Sequence, residues 1–194
     1  DLATFHKLSH MLPAMHSSAH HIVEPMDHPI SHRHLRITHS SMLYSDKTFM
    51  GMTTSGQNAE DVLDMCAILF GEEYLETHAV VTGNCNGNSP LVWDETMLSA
   101  MRAFNRRNLP VLCSPFVLGG ANTPASTVPT VAQLNAEALS ALAYTQVIRP
   151  GCPAIYGHYL STVSMQSGAP MAGTPEISLM NFMIGQMARH YGIP

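Results

Sequence analysis

The stretch at residues 109–159 constrains this chain more than any other. It reads as strand, glycine-rich loop, long helix, turn and strand. PVLCSPF is a short apolar run ending in small polar residues, and GGANTPAST supplies the Gly, Asn, Pro and Ser that loops need. Thr130 is placed to cap a helix that runs to about Ile148, and RPGCP stops it with Pro and Gly. AIYGHY is a second short apolar run. Such a βαβ unit has parallel strands and a right-handed crossover. Its first loop lies at the carboxyl end of the sheet, where α/β proteins hold ligands.

The same rhythm extends in both directions. Helical spacing is predicted over 2–15, over 31–45 with Ser31 as cap, over 59–70, and over 94–108 with acids first and bases last. Strands are predicted at 20–25, from 47 into a Ser/Thr/Gly loop ending at 56, and from 78 into an Asn/Gly loop ending at 90. After a loop at 162–173, Thr174 and Pro175 open a last helix that Gly192 ends. Strand and helix thus alternate about five times, which calls for a parallel sheet. No Gly-x-Gly-x-x-Gly or Walker loop follows a strand, so a nucleotide fold has no support. What remains is a flavodoxin-like sheet or part of a (β/α)8 barrel. A full barrel takes about 250 residues, so 194 residues in about five units would be an incomplete one.

Charge narrows the function. Only 12% of residues are charged, the formal net charge is -5, and no basic cluster suggests nucleic acid. No apolar run is long enough to span a membrane, and no signal-peptide pattern opens the chain. The four scattered cysteines (Cys66, Cys85, Cys113 and Cys152) read as free thiols of a cytoplasmic protein. Predicted strand ends collect Glu24, Thr53, Thr54, Asn84, Asn86, Ser114, Tyr156 and His158. This lining is rich in neutral hydrogen-bonding groups and suits a neutral or cationic small ligand better than a phosphate. Tyr156 and Phe116 are aromatics near strand ends that can face a quaternary ammonium. His16 and His20 have helical i,i+4 spacing, but no Cys or carboxylate completes a metal set, and no metal site is predicted.

Several spaced motifs then resemble the trimethylamine methyltransferase (MttB) family. They are Asn88-Ser89-Pro90-Leu91, the run from Gly119 to Pro124, Ala132 to Glu137, Gln146, Pro150 to Pro153, Ile155-Tyr156-Gly157, Pro175-Glu176 and the ending from Ala188 to Pro194. The loop text Asn122 to Ser126 departs mildly from the family's glycine-rich pattern. The resemblance implies a parallel (β/α) barrel of TIM type, present here as an incomplete barrel of about five βα units in one domain. It implies transfer of a methyl group from trimethylamine or a betaine such as glycine betaine to the cobalt of a separate corrinoid protein, with no cofactor bound directly. Asn84, Asn86, Ser114, Tyr156 and His158 would line the amine cavity, and the open edges of a partial barrel would be covered by more chain or by a homo-oligomer. A metal-dependent barrel lyase using the N-terminal histidines and a non-catalytic amine-binding fragment are the competing readings.

Overall fold

A computed structural model describes residues 1–18 and 22–194. Its core is a curled, mostly parallel sheet with helices packed on one face. The strands are β1 (Ser17–Ser18), β2 (Thr48–Gly51), β3 (Val81–Gly87), β4 (Val111–Gly119), β5 (Ala154–Tyr156), β6 (Tyr159–Val163) and β7 (Pro170–Met171). Neighbours run β1-β2-β3-β4-β6-β7, with β5 also on β4, and only the β6–β7 pair is antiparallel. The helices are α1 (Leu2–Met11), α2 (Ile30–Tyr44), α3 (Gly56–Phe70), α4 (Glu72–Leu75), α5 (Glu95–Arg106), α6 (Thr127–Ile148) and α7 (Pro175–Tyr191). Among the described residues no helix is long and apolar enough to cross a membrane.

β5 and β6 are two halves of one strand. Val111 pairs with Ala154 and Phe116 with Tyr159, an offset of 43 residues in both cases. The ladder lapses opposite Ser114 and Pro115, since proline has no N–H to give. The Gly157 N–H still donates to the Cys113 carbonyl at 3.0 Å.

Local chemistry explains most boundaries. Ser55, Asp94 and Thr174 cap α3, α5 and α7 by accepting the backbone N–H of Asn58, Met97 and Ile177. Gly192 ends α7 in the left-handed region, at φ 66. Other boundaries differ from the expectation. α6 begins at Thr127 with Ser126 as its cap residue, because proline at 129 is tolerated in a first turn. Thr130 instead turns its hydroxyl to the carbonyls of Pro124 and Ser126. Pro29, not Ser31, precedes α2. The first strand is at Ser17–Ser18, paired with β2. Of the strand expected at 20–25, residues 20 and 21 lie outside the described residues, and 22–25 form none. The loop expected at 162–173 holds the β6–β7 hairpin.

The largest correction concerns β3. The Asn/Gly text expected to be a loop is the strand itself, VTGNCNG. Glycine weakens a strand unless another group needs the room, and here two do. A Cβ on Gly83 would meet the Phe104 ring of α5 at 3.0 Å, and one on Gly87 would meet the Trp93 ring at 3.3 Å.

Two of the N-terminal histidines, His6 and His34, serve packing. His6 is fully buried, with Nδ1 2.9 Å from Ser40 Oγ and Nε2 3.3 Å from Ser41 Oγ, so it joins α1 to α2. His34 Nε2 lies 2.9 Å from Asp61 Oδ2 and joins α2 to α3. His16 is exposed, and its expected partner His20 lies outside the described residues. No three His, Cys, Asp or Glu side chains gather at metal-binding distance among the described residues.

Candidate functional site

Side chains alternate between the two faces of a strand, and the register sorts the expected site residues. On β3, Val81 and Cys85 join the core beneath the helices, so Asn84 and Asn86 point to the helix-free face. Asn86 pairs with Ser114 on β4, which puts Ser114 on that face too. The row continues to Gly157, where a Cβ would strike the Leu112 side chain. Leu112 is itself paired with Asn84. Met50 of β2 lies opposite Thr82 on the same face.

Tyr156 and His158 are turned the other way. Tyr156 is buried among the helices, where its hydroxyl donates to Asn135 Oδ1 of α6 at 2.8 Å and its ring meets Tyr191 edge-on. Burial pushes its phenol up to about 12. His158 falls on the same side, level with Pro115, and its buried Nδ1 has no partner among the described residues. Glu24 is not at a strand end; it pairs with Arg33 at 2.9 Å. Thr53 donates to the Asn84 carbonyl, tying β2 to β3. The cysteines are free and buried, and burial pushes Cys66 and Cys113 up to about 12, which keeps them as inert thiols.

The helix-free face ends in an aromatic pair. Phe116 and Tyr159 are directly opposite, their centroids 4.9 Å apart and their planes 15° from parallel. Tyr159 escaped the sequence reading because AIYGHY offers two tyrosines three residues apart, which in one strand face opposite sides. Only the pairing with Phe116 shows which of them turns from the helices.

Two loops frame this face, and a buried carboxylate holds both. Glu137 of α6 is 2% exposed. Its Oε2 accepts the Ser89 hydroxyl, and its Oε1 accepts the Leu91 N–H at 2.9 Å and Gln133 Nε2 at 2.8 Å. Trp93 Nε1 donates to the Glu137 carbonyl at 3.2 Å. Gln133 Nε2 also reaches the Asn122 carbonyl at 3.1 Å. Asn122 in turn accepts the Leu118 N–H at 2.7 Å and donates to the Phe116 carbonyl at 2.9 Å. The motifs 88–91, 119–124 and 132–137 are therefore one hydrogen-bonded unit that fixes the rim of the site.

Burial lowers the pKa of His158, and of His6, from the ordinary 6.5. The unfolded chain takes up protons near that pH that the folded chain refuses until a lower one. The resulting stability is fully present above 6.5 and is lost as pH falls through the folded values. The thermal midpoint is therefore expected to drop between about pH 7 and about pH 5. His158→Leu should flatten that drop, since it removes an imidazole with an unpartnered nitrogen. An equal drop in wild type and variant, followed by circular dichroism, would exclude His158 as a source.

The family described as Trimethylamine methyltransferase (MTTB) matches residues 1–194. A glycine betaine methyltransferase of Desulfitobacterium hafniense strain Y51 is 37% identical over 195 residues, covering 100% of this chain and 41% of that protein. A trimethylamine methyltransferase MttB of D. hafniense strain DCB-2 is 24% identical over 178 residues, covering 89% of this chain and 36% of that protein. One from Methanosarcina thermophila is 24% identical over 159 residues, covering 81% and 33%. The chain thus spans about two fifths or less of the length of these curated relatives.

Proposed function

This chain belongs to the trimethylamine methyltransferase family, and from that we propose that it forms part of an enzyme that moves a methyl group from a methylated amine to the cobalt of a corrinoid carried by a separate protein. In this reading the curled sheet is completed into a (β/α)8 barrel by further strands, and the amine lies on the helix-free face inside it. Trimethylamine and glycine betaine are the substrates that the relatives' names suggest.

The observation that carries the reading is a lining of hydrogen-bonding but uncharged side chains, Asn84, Asn86 and Ser114, on one face of adjacent parallel strands. The acceptor would supply the electron pair that takes up the methyl, and the C–N pair would stay with the amine nitrogen, which starts as an ammonium and leaves uncharged. Positive charge on nitrogen therefore fades in the transition state. A carboxylate beside that nitrogen would stabilise the bound cation more than the transition state and so raise the barrier. Neutral groups orient the amine without that penalty, and catalysis becomes chiefly alignment of the C–N bond with the acceptor. The Asn84 side-chain oxygen is buried with no partner among the described residues, which leaves it available to a ligand. The residues fit an acceptor that arrives at the carboxyl end of the sheet, where the Glu137-anchored loops form a rigid rim. Tyr156 and His158 stand behind this surface and support its strand.

The test uses the full-length protein with a reduced corrinoid protein as acceptor, read from the visible spectrum of the corrinoid. Methyl transfer is expected from glycine betaine or trimethylamine. Asn86→Ala and Ser114→Ala should each lower kcat/KM by about tenfold, the scale of one lost hydrogen bond, while Tyr156→Phe should leave it unchanged. Absence of transfer from any methylated amine would overturn the proposal.

A further inference from the structure

We infer that the stacked pair Phe116–Tyr159 is the seat of the substrate's positive charge, a cation–π platform for a quaternary ammonium on the helix-free face. This rests on the methylated-amine reading above and adds the residues that recognise the ammonium group.

The first support is location. Phe116 lies two residues beyond Ser114 on β4, so the pair sits about 7 Å up the strand from the Asn86–Ser114 row. It is on the same face as that row and closer to the carboxyl end, where ligands of parallel sheets bind. The second is exposure. Phe116 is 39% and Tyr159 56% exposed, although Phe116 lies inside β4, most of whose residues are buried, and Tyr159 opens β6. Stacking at 4.9 Å covers one face of each ring, and the exposure that remains leaves ring surface open to a ligand. The third is rigidity. The Phe116 carbonyl accepts Asn122 Nδ2, and Asn122 is tied through Gln133 to Glu137, so the ring springs from a fixed backbone.

The chemistry of the ligand completes the argument. A quaternary nitrogen has no N–H, so Asn and Ser side chains have nothing to accept from it. Its charge is spread over methyl groups that an aromatic face attracts. The sheet face supplies no carboxylate among its described residues, and the aromatic pair offers the ammonium methyl groups a π surface that its Asn and Ser side chains do not. The ammonium end of the substrate rests against the rings, and Asn86 and Ser114 are left for its polar end. Tyr159, more exposed and with the more electron-rich ring, is the stronger of the two.

Calorimetric titration of the full-length protein tests this with glycine betaine and its uncharged carbon isostere, 3,3-dimethylbutyrate. The two ligands match in shape and differ in the ammonium charge, so their ratio of affinities reads cation recognition and not apolar packing. Wild type should favour glycine betaine by about tenfold or more, the scale of a desolvated cation–π contact. Tyr159→Leu and Phe116→Leu should each remove most of that preference, and Tyr159→Phe should retain most of it. Both sites are exposed, and circular dichroism verifies that the variants fold. If wild type shows the preference and both leucine variants keep it, the platform is overturned while the methylated-amine reading stands. If wild type binds neither glycine betaine nor trimethylammonium, that reading falls and the platform with it.

Discussion

Phe104→Ala is expected to destabilise the chain by about 3–5 kcal/mol, at the upper range for loss of a buried aromatic. Phe104 is fully buried, and its ring lies over two paired glycines of adjacent strands. A Cβ on Gly51 would sit 2.9 Å from the ring, and one on Gly83 3.0 Å. The ring therefore occupies the space of two missing side chains. When it is removed, glycine neighbours have nothing to move into the hole, so the cavity stays. The thermal midpoint should fall on the order of 10 °C for a chain of this size. Gly83→Ala provides a sharper check. In wild type it overpacks the ring and costs about 1–3 kcal/mol; in the Phe104→Ala background it should be neutral or stabilising. The same cost in both backgrounds, measured as a double-mutant cycle, would show that the ring and the glycine do not compete for one space.

Glu137→Ala is expected to cost about 3 kcal/mol, because it strips the acceptor from three buried or half-buried donors at once. The Ser89 hydroxyl, the Leu91 N–H and Gln133 Nε2 lose their partner together. Leu91 also sits at φ 58, a left-handed conformation that a branched side chain disfavours and that its hydrogen bond helps to hold. Hydrogen exchange should therefore rise first at Leu91 and around Asn122, before the sheet opens. Glu137→Gln, which keeps one acceptor oxygen, should cost roughly half as much. Chemical denaturation of the three proteins reads the order. A Glu137→Ala variant within 0.5 kcal/mol of wild type, the usual range of surface changes, would mean that the loops are held by other contacts.

Much of the architecture was legible in local chemistry. The helices over 59–70, 94–108 and 175–191 announced themselves by caps and apolar spacing that act within a few residues, and the structure retains them. The neutral set Asn84, Asn86 and Ser114 was likewise visible as residue types near strand ends. The run of β3 through its Asn/Gly text was hidden because its glycines are explained only by Phe104 and Trp93, which arrive from elsewhere in the chain. Glu137 was legible as part of a motif, but its task depends on Ser89 and Leu91, more than 40 residues away.

The amino-acid order by itself determined the alternation of the main helices with strands, the largely uncharged character of the strand ends and the motifs that mark the family, because propensity, capping and periodicity are local. Only the tertiary structure decided which tyrosine turns from the helices. In a strand of period two, Tyr156 and Tyr159 must point to opposite faces, and no local signal says which face is which. Pairing with β4 settles it: Tyr156 stands level with buried Cys113, and Tyr159 stands level with Phe116.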